Sequence, residues 1–312
     1  MSTFEQKIKK VMQKLFLLDA YALIYRSYYA FIKNPRINSK GLNTSAIMGF
    51  LNTLNEVLTK KQPTHIGVAF DPHGPTFRSE AFPEYKAQRE ETPEDIRKAV
   101  PIIKDLLKAY RIPILQVDGF EADDVIGTLA SKAGDKGIET FMLTPDKDYG
   151  QLVRDNVFIF RPRHGGGYET MGPKEVCEKY GIPSTNAVID LLALMGDSAD
   201  NFPGCPGVGE KTAVKLINEF GSIEQLIARS SEIKGKLREK VEEHVDDIKM
   251  SYFLATIKTD VPIELDMESL KLVEPNEDEL GKLLLELEMK SFADRVLKKS
   301  QKPQIPVNGQ LD

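Results

Sequence analysis

A chain of 312 residues, 41% hydrophobic and 29% charged, has a globular composition with apolar material for one large core or two smaller ones. Its net charge of -5, from 42 basic and 47 acidic residues, argues mildly against a polyanionic partner. Two cysteines (Cys177, Cys205) form no disulfide framework or CxxC pattern, four histidines (His65, His73, His164, His244) lack metal-ligand spacing, and no stretch is long enough to span a membrane. This excludes a disulfide scaffold, a zinc centre and a helical membrane protein, and fits a reducing, cytosolic compartment.

Residues 1–13 are a polar, basic extension, and the apolar run Leu15–Leu18 is too short for a signal peptide. "KLFLLD" (14–19) reads as a buried strand ending in Asp19. Residues 42–60 have helical periodicity, with Ile47, Phe50, Leu51, Leu54, Val57 and Leu58 on one side. "THIGVAFD" (64–71) is a second strand, ending in Asp71. Residues 92–110 start like a helix, with a Thr cap and Pro at the first position, and Pro101 should kink it. A third strand (111–117), a helix from Glu121 to Ala133, a fourth strand (138–143) and a fifth (157–160) follow. Strands alternating with helices imply a parallel α/β sheet covered on both faces. From about Pro173 the chain reads as helices: 182–197, 209–221, 232–256 and 276–298. The tail, 299–312, is polar and linker-like.

The acids follow this order. Asp19 ends strand one and Asp71 strand two. Glu121, Asp123 and Asp124 follow strand three, and Asp146 and Asp148 follow strand four. The carboxyl ends of parallel strands share one edge, where ligands bind. Seven carboxylates from four segments should therefore converge. A solvated-surface reading explains any one of them but not the set. Asp197 and Asp200, at a helix end, could close the site or merely cap the helix. Nine carboxylates with no histidine suit a hard cation, Mg²⁺ or Mn²⁺. Two such ions about 4 Å apart would activate a water and stabilise a leaving oxygen in phosphodiester cleavage. Without those nine, 38 acidic residues face 42 basic ones, so the remainder no longer opposes a polyanion.

"NFPGCPGVGEKTAVKLI" (201–217) has Gly204 and Gly209 at P-loop spacing, but Glu210 stands where the lysine is required. It reads better as a helix–hairpin–helix, whose Gly207 and Gly209 let backbone approach a phosphate while Lys211 and Lys215 supply charge. A plain helical corner is the alternative. Residues 74–93 interleave Arg78, Lys86 and Arg89 with Phe77, Phe82 and Tyr85, which suits a single strand; its four glutamates leave a surface loop as the other reading. Tyr25 and Arg26 lie close behind Asp19.

"DAYALIYRSYYA", "FDPHGPTFR", "YKAQR", "GFEADDVIGTLA", "TPDKDYGQLV" and "MGDSADNFPGCPGVGEKTA" occur in order. Over residues 14–298 the chain resembles the 5′-nuclease (flap endonuclease) family, most closely the N-terminal 5′→3′ exonuclease domain of bacterial DNA polymerase I. The resemblance implies a PIN-like core over 14–181 with a helical arch near 74–93, and a helical part over 182–298 with a helix–three-turn–helix module. It implies hydrolysis of DNA at 5′ flaps, nicks or ends, RNA-primed ones included, in Okazaki-fragment processing and repair. Asp19, Asp71, Glu121, Asp123 and Asp124 would serve one metal group, and Asp146, Asp148, Asp197 and Asp200 a second. Arg78 and Lys86 would meet the scissile phosphate, with Asp124 and Asp146 among the catalytic acids. Tyr25, Arg26, Tyr85 and Arg89 would contact DNA. Gly207, Gly209, Lys211, Thr212 and Lys215 would bind duplex, with room for K⁺. A monomer of the bacterial cytoplasm, at the nucleoid, is expected, as a stand-alone nuclease or, favoured by the tail, the front of a polymerase. Competing readings are a PIN-type ribonuclease, a haloacid-dehalogenase phosphatase (opposed by Tyr21 where a second Asp is needed) and a silent DNA-binding scaffold.

Overall fold

The computed structural model describes residues 13–163 and 167–300. The expected extension, apart from Gln13, and the tail beyond Ser300 lie outside them. By packing, the described chain forms two compact units. The first takes residues 13–23, 63–92 and 113–271, and the second takes 24–62, 93–112 and 272–300. The linear boundary expected at 181 does not separate the two units, because the sheet and the helices after it share one hydrophobic core.

The first unit is built on a six-stranded sheet. β1 (Lys14–Asp19) is apolar from Leu15 to Leu18 and buried on both faces, as a central strand requires. It pairs in parallel with β2 (His65–Ala69) and β4 (Glu139–Leu143). β3 (Ile114–Leu115) and β5 (Val157–Pro162) extend the sheet in parallel, giving the order β3-β2-β1-β4-β5-β6. β6 (Tyr168–Met171), not expected from the sequence, closes the edge antiparallel to β5. Register sets Asp19 opposite Ala69 and Leu18 opposite Leu143, so β1, β2 and β4 end level. The strand order reverses between β1 and β4, where such sheets open a crevice.

One face of β1, Leu15 and Leu17, packs in the core with α5 (Ala122–Asp135). Val125, Ile126, Leu129, Ala130 and Ala133 of α5 recur at helical spacing and are buried. On the other face Phe16 stacks on Phe141 at 4.7 Å, and Phe141 on Phe158 at 5.4 Å. α1 (Ala20–Ala30) starts directly after Asp19. Of segment 74–93 only α3 (Phe77–Ala81) is helical, in place of the longer arch that the resemblance implies. α6 (Pro173–Tyr180), α7 (Ala187–Met195), α8 (Glu210–Phe220), α9 (Ile223–Ala228), α10 (Lys236–Glu243) and α11 (Val245–Ala255) complete the unit, with α7 packed on α8 and α11. The helix expected over 232–256 breaks at His244.

The second unit is helical. α2 (Ser45–Glu56) continues through a π turn, and α4 (Glu94–Ala109) runs through Pro101. α12 (Glu277–Glu286) and α13 (Lys290–Ser300) replace one expected helix, which breaks where Glu288 turns left-handed at φ +60°. α4 packs on α2 and α12.

Candidate active site

The switch-point crevice collects the acids. Asp19 leaves β1, and its Oδ1 accepts from Ala22 N at 3.0 Å. Asp71 follows β2, and its Oδ1 accepts from Ala122 N at 2.8 Å. Glu121 caps α5, and Asp123 and Asp124 occupy its first turn, where the helix dipole favours negative charge. Asp146 lies in the loop after β4, and its Oδ1 accepts from Asp148 N at 3.0 Å. Asp197 and Asp200 lie in the turn after α7. Burial, then Asp71 and Asp146, pushes Asp19 up to about 7. Desolvation also raises Asp71, Asp123, Asp146 and Asp148, with neighbouring acids adding to it: Glu121 for Asp71, Asp124 for Asp123, Asp200 for Asp146 and Asp146 for Asp148. Among the described residues, Asp148 Oδ1 is the buried side-chain oxygen without a hydrogen-bond partner. Desolvation opposes ionisation of Asp197 too, but Lys147 Nζ, 2.8 Å from Oδ2, holds it below the usual carboxylate range.

One part of the cluster already has its cation. Carboxylate oxygens of Glu121, Asp123 and Asp124 lie within 4.8 Å of one another. Arg78 Nη1 stands 3.1 Å from Glu121, 4.0 Å from Asp123 and 2.7 Å from Asp124. Arg78 was expected on the scissile phosphate. Instead it is 1% exposed, with its remaining donors on Leu254 O, Thr256 O and Asp124 Oδ1. No donor faces a ligand, so Arg78 is the buried counter-ion of this cluster. Asp124, expected as a metal ligand and catalytic acid, is fully buried. Its two oxygens accept from Arg78, Glu121 N and Lys258 N, which makes it the brace of α5.

The segment after α3 folds across the crevice. Lys86 N donates to Asp200 O, Gln88 Nε2 to Ser198 O and Arg89 Nε to Ala199 O; Asn201 Nδ2 donates back to Glu84 O. Lys86 Nζ sits 2.7 Å from Glu121 Oε1, and Arg89 pairs with Asp200. Desolvation opposes ionisation of Glu121 as well, but Lys86 and Arg78 hold it below the usual carboxylate range. Tyr85, expected to contact DNA, is 6% exposed; its hydroxyl donates to Glu121 Oε2 at 3.0 Å and its ring lies under the Lys86 ammonium. Buried there, it has no face for a base.

The hairpin is as expected. Gly204, at φ +61°, lies so close to Gly196 that a Cβ would stand 2.2 Å from Gly196 N. Gly207 has φ +80°, and Gly209 is the extended residue preceding α8. Lys211 and Lys215 are exposed one turn apart, and Thr212 is half-buried. Lys240 Nζ lies over Gly207, an addition that the local sequence does not signal, since α10 is distant in the chain. Thr144, Lys147 and Tyr149 also contact site acids and were missed, although all three lie in or beside "TPDKDYGQLV". Tyr25, half-buried and 6.3 Å from Tyr29, and exposed Arg26 lie on α1 in the second unit.

A sheet whose switch-point crevice is lined by carboxylates, joined to a glycine hairpin, defines an α/β protein with an all-oxygen donor set of the kind that suits a hard cation. The chain belongs to the 5′-3′ exonuclease family: the family's N-terminal resolvase-like domain matches residues 14–181 and its C-terminal SAM fold matches 184–278. It is 39% identical over 298 residues to DNA polymerase I of Bacillus caldotenax, covering 95% of this chain and 34% of that protein. The chain thus spans about a third of that relative's length. The 5′-3′ exonuclease of Aquifex aeolicus is 38% identical, over 91% of this chain and 96% of that protein. In fold the chain is similar to bacteriophage T5 D15 flap endonuclease in complex with DNA and metal ions, with a TM-score of 0.66, 19% identity, and coverage of 93% of this chain and 100% of that one.

Proposed function

We propose that this chain is a divalent-metal-dependent, structure-specific 5′ nuclease that hydrolyses DNA phosphodiesters as a 5′→3′ exonuclease and 5′-flap endonuclease. The observation that carries the reading is the crevice of carboxylates from four strand ends, with Asp148 Oδ1 buried and unpartnered in it. Asp19, Asp71, Glu121, Asp123, Asp146, Asp148, Asp197 and Asp200 would hold Mg²⁺ or Mn²⁺, as two ions. The donor set fits: it is all oxygen, and burial, with like charge added to it, raises the proton affinities, a penalty on the bare carboxylates that a dication would relieve. Bound there, such ions supply Lewis acidity to the scissile phosphate and to the attacking water.

The chain's own residues do the rest. Lys86 and Arg89 stand on Glu121 and Asp200 over the crevice and would transfer to the phosphate as substrate enters. Arg78 and Asp124 keep α5 and Glu121 in place. The hairpin, with Lys211, Thr212 and Lys215, would bind duplex phosphates, with K⁺ as a monovalent partner. Tyr25 and Arg26 would meet the strand near its 5′ end. No helix among the described residues is long and apolar enough to cross a membrane. The setting we infer is a monomer at the bacterial nucleoid, serving Okazaki-fragment processing and repair with RNA-primed ends included, as a separate nuclease or the front of a polymerase.

The test is a 5′-labelled double-flap DNA with Mg²⁺ or with EDTA, beside flap-free duplex and single-stranded RNA. Mg²⁺-dependent cutting at the flap junction is the expected result. Preferential RNA cleavage would replace this reading with a ribonuclease, and binding without cleavage would leave a scaffold.

A further inference from the structure

We propose that Tyr149 and Thr144 are positioning residues whose hydroxyls orient the Asp19 carboxylate toward a divalent cation. The inference rests on the metal reading of the crevice. Tyr149 is 1% exposed, in the turn Asp148–Leu152, and its O–H donates to Asp19 Oδ2 at 3.1 Å. Thr144, wholly buried at the end of β4, donates from Oγ1 to the same oxygen at 3.3 Å. Ala22 N holds the other oxygen at 3.0 Å.

A carboxylate's terminal torsion is broad, so an Asp side chain alone does not fix the plane of its oxygens. Three donors from three chain segments fix this one. Oδ2, which takes both hydroxyls, has two directions less to offer and Oδ1 has one less, so the direction that remains, on Oδ1, is set by the fold. The same groups tie Asp19 to its neighbours. Thr144 Oγ1 accepts from Asp146 N at 3.2 Å, and Tyr149 directly follows Asp148, whose Oδ1 is unpartnered. Two hydroxyls thus hold together acids from β1 and from the loop after β4.

Packing alone does not account for this arrangement. The Tyr149 ring belongs to the core cluster, where a phenylalanine would fill the same space. A buried phenol needs one acceptor, which any carbonyl can provide. Here it is spent on a buried carboxylate. Groups that hydrogen-bond a metal-holding side chain typically govern metal affinity by ten- to a hundredfold.

The test uses the whole chain and Mn²⁺ alone, without DNA, with free Mn²⁺ counted by its electron paramagnetic resonance signal. Tyr149→Phe removes one oxygen atom, Thr144→Val removes the hydroxyl at constant shape, and Thr144→Ser keeps it. Tyr149→Phe and Thr144→Val should each lose about tenfold in Mn²⁺ affinity, and Thr144→Ser should retain it. In flap cleavage, the half-saturating cation concentration should rise by more than the saturating rate falls. Unchanged Mn²⁺ affinity in both hydroxyl-free variants overturns the inference. So does a loss in Thr144→Ser equal to that in Thr144→Val, because packing would then be responsible. A wild-type chain that binds no more Mn²⁺ than Asp19→Ala would instead defeat the metal reading itself.

Discussion

At Asp19 burial and repulsion favour the proton, and the consequence has a definite sign. The folded chain raises this carboxyl from 3.8 to about 7, so it binds a proton more tightly than the unfolded chain does. The stability gained from that proton is complete below the unfolded value and is lost as pH rises through about 7. In EDTA, Asp19→Asn should therefore be more stable than wild type at pH 8, by about 2–4 kcal/mol, with the gap closing toward pH 4 in urea titrations. A gap that widens toward low pH would contradict the burial argument. Arg78 gives a second contrast. Arg78→Met leaves Asp124 buried without its counter-ion and Glu121 with Lys86 alone, at a cost of about 3–5 kcal/mol. A phosphate contact would have lowered cleavage without moving the urea midpoint. The local sequence shows the same acids and the same arginine in either role. Only the Glu121 and Asp124 carboxylates at the start of α5 and the Leu254 and Thr256 carbonyls, distant in the chain, decide between them.

Elements differ in how far their signals reach. β1, β2, β4 and α5 were legible because apolar runs, helical spacing and terminal acids are local features. The end of each strand also placed Asp19, Asp71 and Asp146 at one edge, so most of the candidate site could be read before the fold was known. β6 was not legible, because four residues after a glycine run carry no strand period of their own. The 84–89 segment was not legible either, since what shapes it is its bonding to the turn at 197–201, more than a hundred residues later. The hairpin was legible from its glycines, and its geometry sets two expectations. Gly204→Ala meets backbone at 2.2 Å and a left-handed φ, so at least about 2 kcal/mol should be lost in thermal unfolding. Lys211→Ala with Lys215→Ala should weaken duplex binding alike on all sequences and lower its salt slope by about one for each phosphate no longer neutralised. An unchanged slope would remove the hairpin from the duplex interface.

Across the whole molecule the acid crevice belongs to one packing unit. All nine acids lie in residues 13–23, 63–92 and 113–271, and none lies in the helical unit of α2, α4, α12 and α13. A cation that binds only the folded crevice stabilises the unit holding it, by about 2.7 kcal/mol at a hundred times its Kd. Hydrogen exchange reads that stabilisation peptide by peptide. With saturating Mg²⁺, the most protected amides of β1, β4 and α5 should slow by about a hundredfold, while those of α2, α4 and α12 keep their rates. Asp148→Asn, which removes the charge of the carboxylate that bears the unpartnered oxygen, should blunt the slowing. Equal slowing in both sets would mean that the two units open as one cooperative body. No slowing in either would mean that the crevice, despite its nine acids, does not gather a cation on its own.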